Sequence, residues 1–272
     1  MLALGFLLAC IGIVLFVLSQ HQRAQLRQLR AAQRSTTKEL TAFAESVSQA
    51  LVEAGNYRQT AEVTGIIRCN SPLTSEIAKQ PCVYYDAEVR REYEETRYRS
   101  RRHGRRVSSR TMRGSETVSH NSQRVHFWVE DATGRVLVDP TGAEIEPVQI
   151  ADRFEPAETA GSSRSLTIGK LSITLGGLPT TMDAGRRTIG YRCRERALPV
   201  DRRVYVLGEV TDASGELTIQ KPRQKGKFVI SLRSKDEIVR SVVIRTQVMA
   251  ATSAGSGVAG VALIGLSLLH II

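Results

Sequence analysis

The chain begins and ends with uncharged apolar segments, and this feature constrains its fold more than any other. Residues 1–18 contain no charged side chain, and no Asp, Glu, Lys or Arg follows Arg245. Eighteen helical residues span about 27 Å, close to the hydrocarbon thickness of a bilayer. A secretory signal peptide would carry basic residues before its apolar run, and none precedes this one. The sequence therefore predicts two transmembrane helices, over 1–18 and 251–272.

Basic side chains beside these two segments predict the orientation of the chain. They are Arg23, Arg27, Arg30 and Arg34 after the first segment and Lys235, Arg240 and Arg245 before the second. Neither outer end carries a Lys or Arg. The rule therefore predicts an integral two-pass membrane protein with both termini outside and the central domain in the cytoplasm.

The segments next to the membrane are expected to be helical. Leu40, Phe43, Val47 and Leu51 recur at steps of three and four residues, which is the period of one helix face. This pattern predicts a long N-terminal helix within a basic juxtamembrane helix or linker over 19–56. A second juxtamembrane helix is predicted over 234–250.

Between these helices the apolar period becomes two, which is the period of a β-strand. Stretches such as "YRQTAEVTGIIRC", "PCVYYDAEVRREYE" and "RRVYVLGEVTDASGELTIQKP" alternate apolar and polar residues. Many short strands at this spacing are typical of a compact sandwich or a partly open barrel. We therefore expect a mainly β domain over 57–233, joined to the long N-terminal helix and flanked by the two transmembrane helices.

An arginine-rich stretch interrupts this domain between two predicted strands, so we place it at a hairpin tip covering 94–119. The formal net charge of +11 favours anionic partners. Three interpretations stay open: a solvated loop, a contact with anionic lipid or an acidic protein, and a nucleic-acid contact. The last is disfavoured because few aromatic residues accompany the arginines. The candidate anionic contacts are Arg23, Arg27, Arg97, Arg99, Arg101, Arg102, Arg105 and Arg106.

No sequence pattern points to catalytic, cofactor-binding or metal-binding residues, and we predict none of the three. The four cysteines form no C-x-x-C pair, and G-x-S-x-G, H-E-x-x-H and P-loop patterns are missing from the sequence. Cys82 is expected to be a buried structural thiol, with a Cys69–Cys82 disulfide as the alternative. Pro72 and Pro81 bracket a loop, and we predict a partner or ligand cleft formed by Pro72, Pro81, Cys82 and Tyr84.

Small residues four apart in the C-terminal segment predict close helix packing. Ser253 and Gly257 form one such pair, and Ser256 and Gly260 form another. We expect Gly257 and Gly260 to pack against the first transmembrane helix of the same chain. A contact with another copy is the alternative.

Four stretches, taken in order, resemble a known domain family. They are "SPLTSEIAKQPCVYYDAEVRREYE", "HFWVEDATGRVLVDPTGAEI", "YRCRERALPVDRRVYVLGEV" and "KFVISLRSKDEIVRSV". They are similar to the GIDE domain, also called the BAM ("beside a membrane") domain. The resemblance implies the membrane-embedded part of mitochondria-anchored RING ubiquitin ligases and of their plastid and prokaryotic relatives. A RING needs eight Cys/His ligands in spaced pairs around two zinc ions, and this sequence lacks such pairs.

The patterns and the resemblance together predict a two-pass membrane protein whose GIDE-like domain is a binding module at the membrane surface. One alternative is an E3 ubiquitin ligase-type protein, concerned with ubiquitin transfer and organelle organisation, whose RING is absent or separately encoded. Another is a basic membrane tether for nucleic acid or anionic lipid. We expect a protein partner and no enzymatic activity of the chain by itself.

Overall fold

The computed structural model describes residues 58–99, 108–157, 165–168, 171–174, 186–213, 216–224 and 226–234, with scattered positions between 3 and 42 and between 237 and 265. These residues are mainly β-strand. They belong to two compact units. The first unit comprises Met1–Thr64, Gly142–Glu144 and Val204–Ile272, and the second comprises Gly65–Thr141 and Ile145–Arg203.

Fifteen strands are described along the chain. In order they are β1 (Gln33–Arg34), β2 (Arg58–Arg68), β3 (Leu73–Thr74), β4 (Pro81–Arg99), β5 (Ser108–Arg124), β6 (Phe127–Asp131), β7 (Gly134–Val138), β8 (Glu144–Glu146), β9 (Val148–Pro156), β10 (Ser165–Ile168), β11 (Leu171–Thr174), β12 (Arg186–Pro199), β13 (Arg203–Thr211), β14 (Thr218–Gln220) and β15 (Val229–Ser231).

The first unit is organised around strand β13. This strand pairs antiparallel with β14 through Val210 and Ile219, and with β15 through Val206 and Ile230. All four of these side chains are buried. Strands paired on both edges and buried on both faces read as continuous apolar runs, which explains the sequence "VYVLGEV". A Cβ at Gly208 would lie 2.7 Å from a methyl carbon of Ile219, so the packing here requires a glycine.

The second unit contains a five-stranded sheet with β4 at its centre. One edge of β4 pairs with β12, and β12 pairs in turn with β9. The other edge of β4 pairs with β3 near its start and with β5 along the rest of its length. Alternate residues on one face form a buried cluster because side chains along a strand point to opposite faces with period two. The cluster contains Ile77, Cys82, Tyr85, Ala87, Val89, Tyr191, Cys193 and Ala197.

A hairpin of β6 and β7 completes the second unit. Its strands pair from Phe127↔Val138 to Asp131↔Gly134. The Asp131 carboxylate closes the turn, because one of its oxygens accepts the backbone N–H of Thr133 at 2.7 Å and that of Gly134 at 3.1 Å. This is the Asx geometry that favours aspartate before a tight turn.

The expectation of a long N-terminal helix is wrong. Gln33 and Arg34 form strand β1, which pairs in parallel with Ala61 and Glu62 of β2, so no single helix can run through 19–56. A helix does begin after Thr36, where Thr36 and Glu39 exchange side chain-to-backbone hydrogen bonds in a capping box. Phe43, Val47 and Leu51 lie outside the described residues.

The two transmembrane helices, and with them the two-pass localisation with both termini outside, are also not supported. Within the part of the chain that the structure describes, no helix is long and apolar enough to span a membrane.

Candidate functional site

The short loop between β3 and β4 is the most highly organised feature of the second unit. Strands β3 and β4 pair at Thr74↔Pro81 and Leu73↔Cys82, so the loop leaves the sheet and returns to it within residues 75–80. Ser75 closes the loop: its N–H donates to the carbonyl of Gln80, and its hydroxyl accepts the N–H of Gln80. Lys79 has a positive φ of 58°, a strained conformation for a residue with a Cβ.

A buried carboxylate on β12 holds this loop in place. Glu195 has no exposed surface. One of its oxygens accepts the N–H of Glu76 at 2.7 Å, the other accepts that of Ala78 at 2.8 Å, and both lie within 3.2 Å of the N–H of Ile77. Buried charges are tolerated when they are fully hydrogen-bonded. Glu195 is therefore the anchor of the loop.

Sequence reasoning missed Glu195, although a signal was present. On β12 the arginines 192, 194 and 196 occupy one face, while Tyr191, Cys193 and Ala197 occupy the other. Glu195 is the charged residue at a position whose period-two neighbours are apolar. A charge at a core-facing position indicates a specific buried partner.

Side chains beside the loop form a second small network. Tyr85 donates its hydroxyl hydrogen to Glu76 at 3.2 Å, and the Asn121 amide donates to the same carboxylate. Burial, followed by the charge of Glu76, raises the pKa of Tyr85 to about 12. Burial, followed by Glu195, raises the pKa of Cys82 to about 11. Both groups therefore stay protonated at neutral pH, and Cys82 is not an activated nucleophile.

The predicted cleft residues occupy different environments around this loop. Pro72 and Pro81 are exposed, Tyr84 is half-buried and Cys82 is completely buried in the apolar cluster. The ring of Tyr84 lies 5.9 Å from the guanidinium carbon of Arg124. Cys69 and Cys82 are free thiols, so the alternative of a disulfide between them is wrong.

The opposite face of the five-stranded sheet carries a network of ion pairs. Arg192 contacts Glu92 at 2.7 Å and Asp152 at 3.1 Å, and Arg194 also contacts Asp152. Asp86, farther along, contacts both His120 and Arg196 at 2.6 Å. Because these carboxylates form ion pairs with basic side chains, their geometry does not indicate a role as general acid or base. Among the described residues, no group of three or more His, Cys, Asp or Glu could hold a metal ion.

Strands β4 and β5 form a two-stranded ribbon beyond the last described pair of β4 with β12. Among the described residues, the pairing of β4 with β12 reaches Glu95↔Arg186, whereas its pairing with β5 continues through Arg97↔Arg110 to Arg99↔Ser108. We name the described residues of this ribbon, 96–99 and 108–111, the arginine ribbon. Arg97 and Arg99 thus occupy β4. The other predicted anionic contacts lie outside the described residues: Arg23, Arg27, Arg101, Arg102, Arg105 and Arg106.

The predicted helix-packing residues are only partly described. Gly260 lies in helical backbone and is buried, whereas Gly257 falls outside the described positions.

Comparisons with known proteins identify the family. The family model named GIDE, described as E3 ubiquitin ligase, matches residues 95–265. The E3 ubiquitin-protein ligase SPL1 of Arabidopsis thaliana is 30% identical over 156 residues, which cover 56% of this chain and 42% of that protein. The chain therefore spans less than half the length of this relative. No solved structure matches the chain. Because the family model covers more than half of the sequence, including three of the four motifs, the chain belongs to the GIDE family.

Proposed function

We propose that this chain is a protein-binding module in a ubiquitin-ligase-type system, and that the arginine ribbon holds an acidic segment of its partner. The observation that supports this proposal is the separation of charge along β4 and β5. Arginines near the sheet are paired with carboxylates, whereas the stretch farther out, residues 96–111, contains arginines but no aspartate or glutamate.

The inner part of the β4–β5 hairpin is charge-compensated. Arg113 contacts Glu94 at 3.0 Å, Arg186 contacts Glu95 at 3.2 Å, and Arg91 contacts Glu116 at 3.0 Å. Each of these carboxylates lies at or inside the point where β12 stops pairing with β4. This inner part can therefore pack against the sheet without a large excess of positive charge.

The outer part is different. Residues 96–111 contain seven arginines and no aspartate or glutamate. Arg97 lies directly opposite Arg110 in the strand register, and like charges directly opposite one another destabilise a β-ribbon. An anion bound beside the pair would remove this repulsion.

An acidic protein segment suits this surface better than nucleic acid or lipid. Guanidinium groups form two parallel hydrogen bonds with a carboxylate, which gives arginine an advantage over lysine in binding Asp and Glu. The ribbon contains a single aromatic residue, Tyr98, so it offers little for stacking bases. The ubiquitin-ligase description of the family also supports a protein partner, since ligases of that class modify proteins.

Binding of polyglutamate, a homopolymer of glutamate, tests directly whether the arginine ribbon holds an acidic segment. We expect the purified chain to bind labelled polyglutamate in a salt-dependent manner, and the Arg97→Gln/Arg110→Gln variant to bind about tenfold more weakly. The matched control is Arg202→Gln/Arg203→Gln, which removes the same charge from two exposed positions outside the ribbon. The control should retain most of the affinity. Equal loss in both variants would show only a general effect of net charge and would contradict the proposal.

Two further probes separate the partner classes. Vesicles containing phosphatidylglycerol and a single-stranded oligonucleotide should each compete weakly with polyglutamate. Stronger binding of either probe, with the same dependence on Arg97 and Arg110, would assign the ribbon to lipid or nucleic acid.

A role in ubiquitin transfer is the second candidate, and the description of the family and the name of the plant relative favour it. This sequence lacks the spaced zinc-ligand pairs of a RING. We therefore propose that a RING outside this sequence supplies the transfer step. In a reconstituted ubiquitination reaction the chain alone should be inactive. Ubiquitin chain formation by the purified chain without an added RING protein would refute this arrangement.

A further inference from the structure

Strand β9 forms one edge of the five-stranded sheet. It pairs with β12 from Val148↔Ala197 to Pro156↔Gly190, and no strand among the described residues pairs with its other side. An unpaired edge presents a row of backbone N–H and C=O groups that can accept another strand. The opposite edge of the sheet, β5, is rich in Ser, Thr and Arg, which discourage such pairing.

The side chains of β9 favour association. Phe154 and Val148 are both exposed, and large apolar residues on an open edge invite contact with another chain. The Phe154 ring is fixed in place: it lies against Gly190, where a Cβ would come within 2.5 Å of the ring, and 5.5 Å from the guanidinium carbon of Arg192. The edge therefore offers a preformed aromatic contact.

Two charges on β9 have no ion-pair partner in the described part of the chain. Arg153 lies opposite Cys193 and Glu155 lies opposite Tyr191, so both are on the face away from the ion-pair network. Asp152, by contrast, is already held by Arg192 and Arg194. Arg153 and Glu155 are thus available to an external partner.

We propose that β9 pairs antiparallel with β9 of a second copy of this chain, with Phe154 opposite Phe154 at the twofold axis. The twofold axis of such a dimer is perpendicular to the sheet, so the side chains of the two copies keep the same faces. Where this axis crosses the pair of strands, one residue lies directly opposite the same residue of the other copy. With Phe154 at that position, Arg153 of each copy lies opposite Glu155 of the other. The dimer then contains two cross-strand ion pairs and one aromatic pair.

Other registers are less favourable. Centring the axis on Asp152, Arg153 or Glu155 places two identical charges directly opposite each other. Centring it nearer the start of the strand meets a β-bulge, because Ala151 pairs with Glu195 and Gln149 with Arg196, leaving Ile150 without a direct partner. Phe154 is the position that avoids both problems. This surface is separate from the arginine ribbon, so the inference does not rest on the proposed function.

Charge reversal tests this register. Sedimentation velocity of the purified full chain, over micromolar to submillimolar concentrations, should show a reversible dimer. Arg153→Glu and Glu155→Arg should each raise its dissociation constant by at least about tenfold, because each creates two like-charge contacts. The double variant Arg153→Glu/Glu155→Arg should recover the dimer. An equimolar mixture of the two single variants should form a heterodimer, because all of its cross-strand charges are then opposite.

The matched control is Arg202→Glu, a reversal at an exposed position outside β9 that should leave the dimer unchanged. Circular dichroism of every variant verifies that the fold is retained. A wild-type chain that stays monomeric over the whole concentration range overturns the proposal. A dimer that persists in both single-reversal variants also overturns it. The same holds if neither the double variant nor the mixture of single variants recovers the dimer.

Discussion

Replacing Glu195 with glutamine should destabilise the second unit strongly, although the two side chains have nearly the same shape. The carboxylate accepts N–H groups from three consecutive residues, Glu76, Ile77 and Ala78, through both of its oxygens. Glutamine keeps one oxygen and replaces the other with an NH₂ group. That group would face backbone N–H donors, so at least one donor loses its acceptor.

The magnitude follows from the number and type of hydrogen bonds. A hydrogen bond to a charged group contributes about 1.5–3 kcal/mol, and a buried donor without an acceptor costs about 1–3 kcal/mol. We therefore expect Glu195→Gln to lower the free energy of unfolding by about 2–4 kcal/mol. Glu195→Ala, which leaves all three donors without the carboxylate, should cost about 3–5 kcal/mol. Losses of this size are a large fraction of the ~5–15 kcal/mol that stabilises a typical domain.

Urea denaturation followed by tryptophan fluorescence measures the effect. The chain has one tryptophan, Trp128, and it lies in the same unit as Glu195. A loss of this size shifts the midpoint by roughly 1–2 M when the urea dependence is about 2 kcal/mol per molar. The matched control is Glu130→Gln. Its carboxylate pairs with Arg68 at 2.7 Å but is half exposed, so the change should cost no more than about 1 kcal/mol.

Hydrogen exchange separates loss of the anchor from a general loss of stability. The amides of residues 76–78 should exchange faster in Glu195→Gln under native conditions, while amides in β6 and β7 should change less. If the midpoint of Glu195→Gln matched that of Glu130→Gln, the carboxylate would not be the anchor, and the reasoning above would be refuted.

Three other predictions concern pH, thiols and glycine. Burial raises the pKa of Cys82 and of Cys193 from 9.0 to about 11, so the folded state favours the protonated thiols. The contribution of the two thiols to stability should be constant below about pH 9 and should be lost between pH 9 and 11 in urea titrations. A fall of equal size in Cys82→Ala/Cys193→Ala would contradict this origin. For the same reason a thiol reagent at pH 8 should modify Cys69 in the native protein, and Cys82 only after denaturation, as mass spectrometry of the labelled peptides will show. Gly208→Ala should cost about 1–3 kcal/mol in thermal unfolding, because its Cβ would lie within 3.0 Å of Ile219, Phe228 and the Gln220 carbonyl. The control is Gly255→Ala, whose Cβ has no described atom within 4 Å, and it should leave stability unchanged or raise it. Equal effects of the two changes would disprove the packing argument.

Period-two alternation was sufficient to find most of the long strands, since it depends only on which face of a strand is buried. Tyr85, Ala87 and Val89 are buried in β4 at the spacing that their pattern predicted. The family resemblance was also correct, because four motifs in a fixed order carry more information than any one of them. The arginine stretch was predicted as a hairpin tip over 94–119, and the pairing of β4 with β5 extends into that range as far as Arg99↔Ser108.

Long-range pairing could not be predicted in the same way. Glu195 and the 75–80 loop meet because β12 lies beside β4, and nothing near either residue in sequence specifies that neighbour. The predicted long N-terminal helix failed for a different reason. Apolar residues at helical spacing do not ensure a helix, and a two-residue pairing at Gln33–Arg34 interrupts the predicted one. In such a segment, pairing with a distant strand outweighs the local propensity to form a helix.

The anchor on β12 also has a consequence for the order in which the chain folds. Glu195 lies 117 residues after Ala78, the nearest of its three hydrogen-bond partners in sequence. During synthesis at 5–20 residues per second, the ribosome needs roughly 6–24 s to extend the chain over that distance. Throughout this interval the N–H groups of the loop have no carboxylate to bind, and strand β4 has not yet received its β12 partner. The N-terminal half of the second unit is therefore a nascent chain with an exposed strand edge, and its loop acquires its final conformation only after β12 has been made.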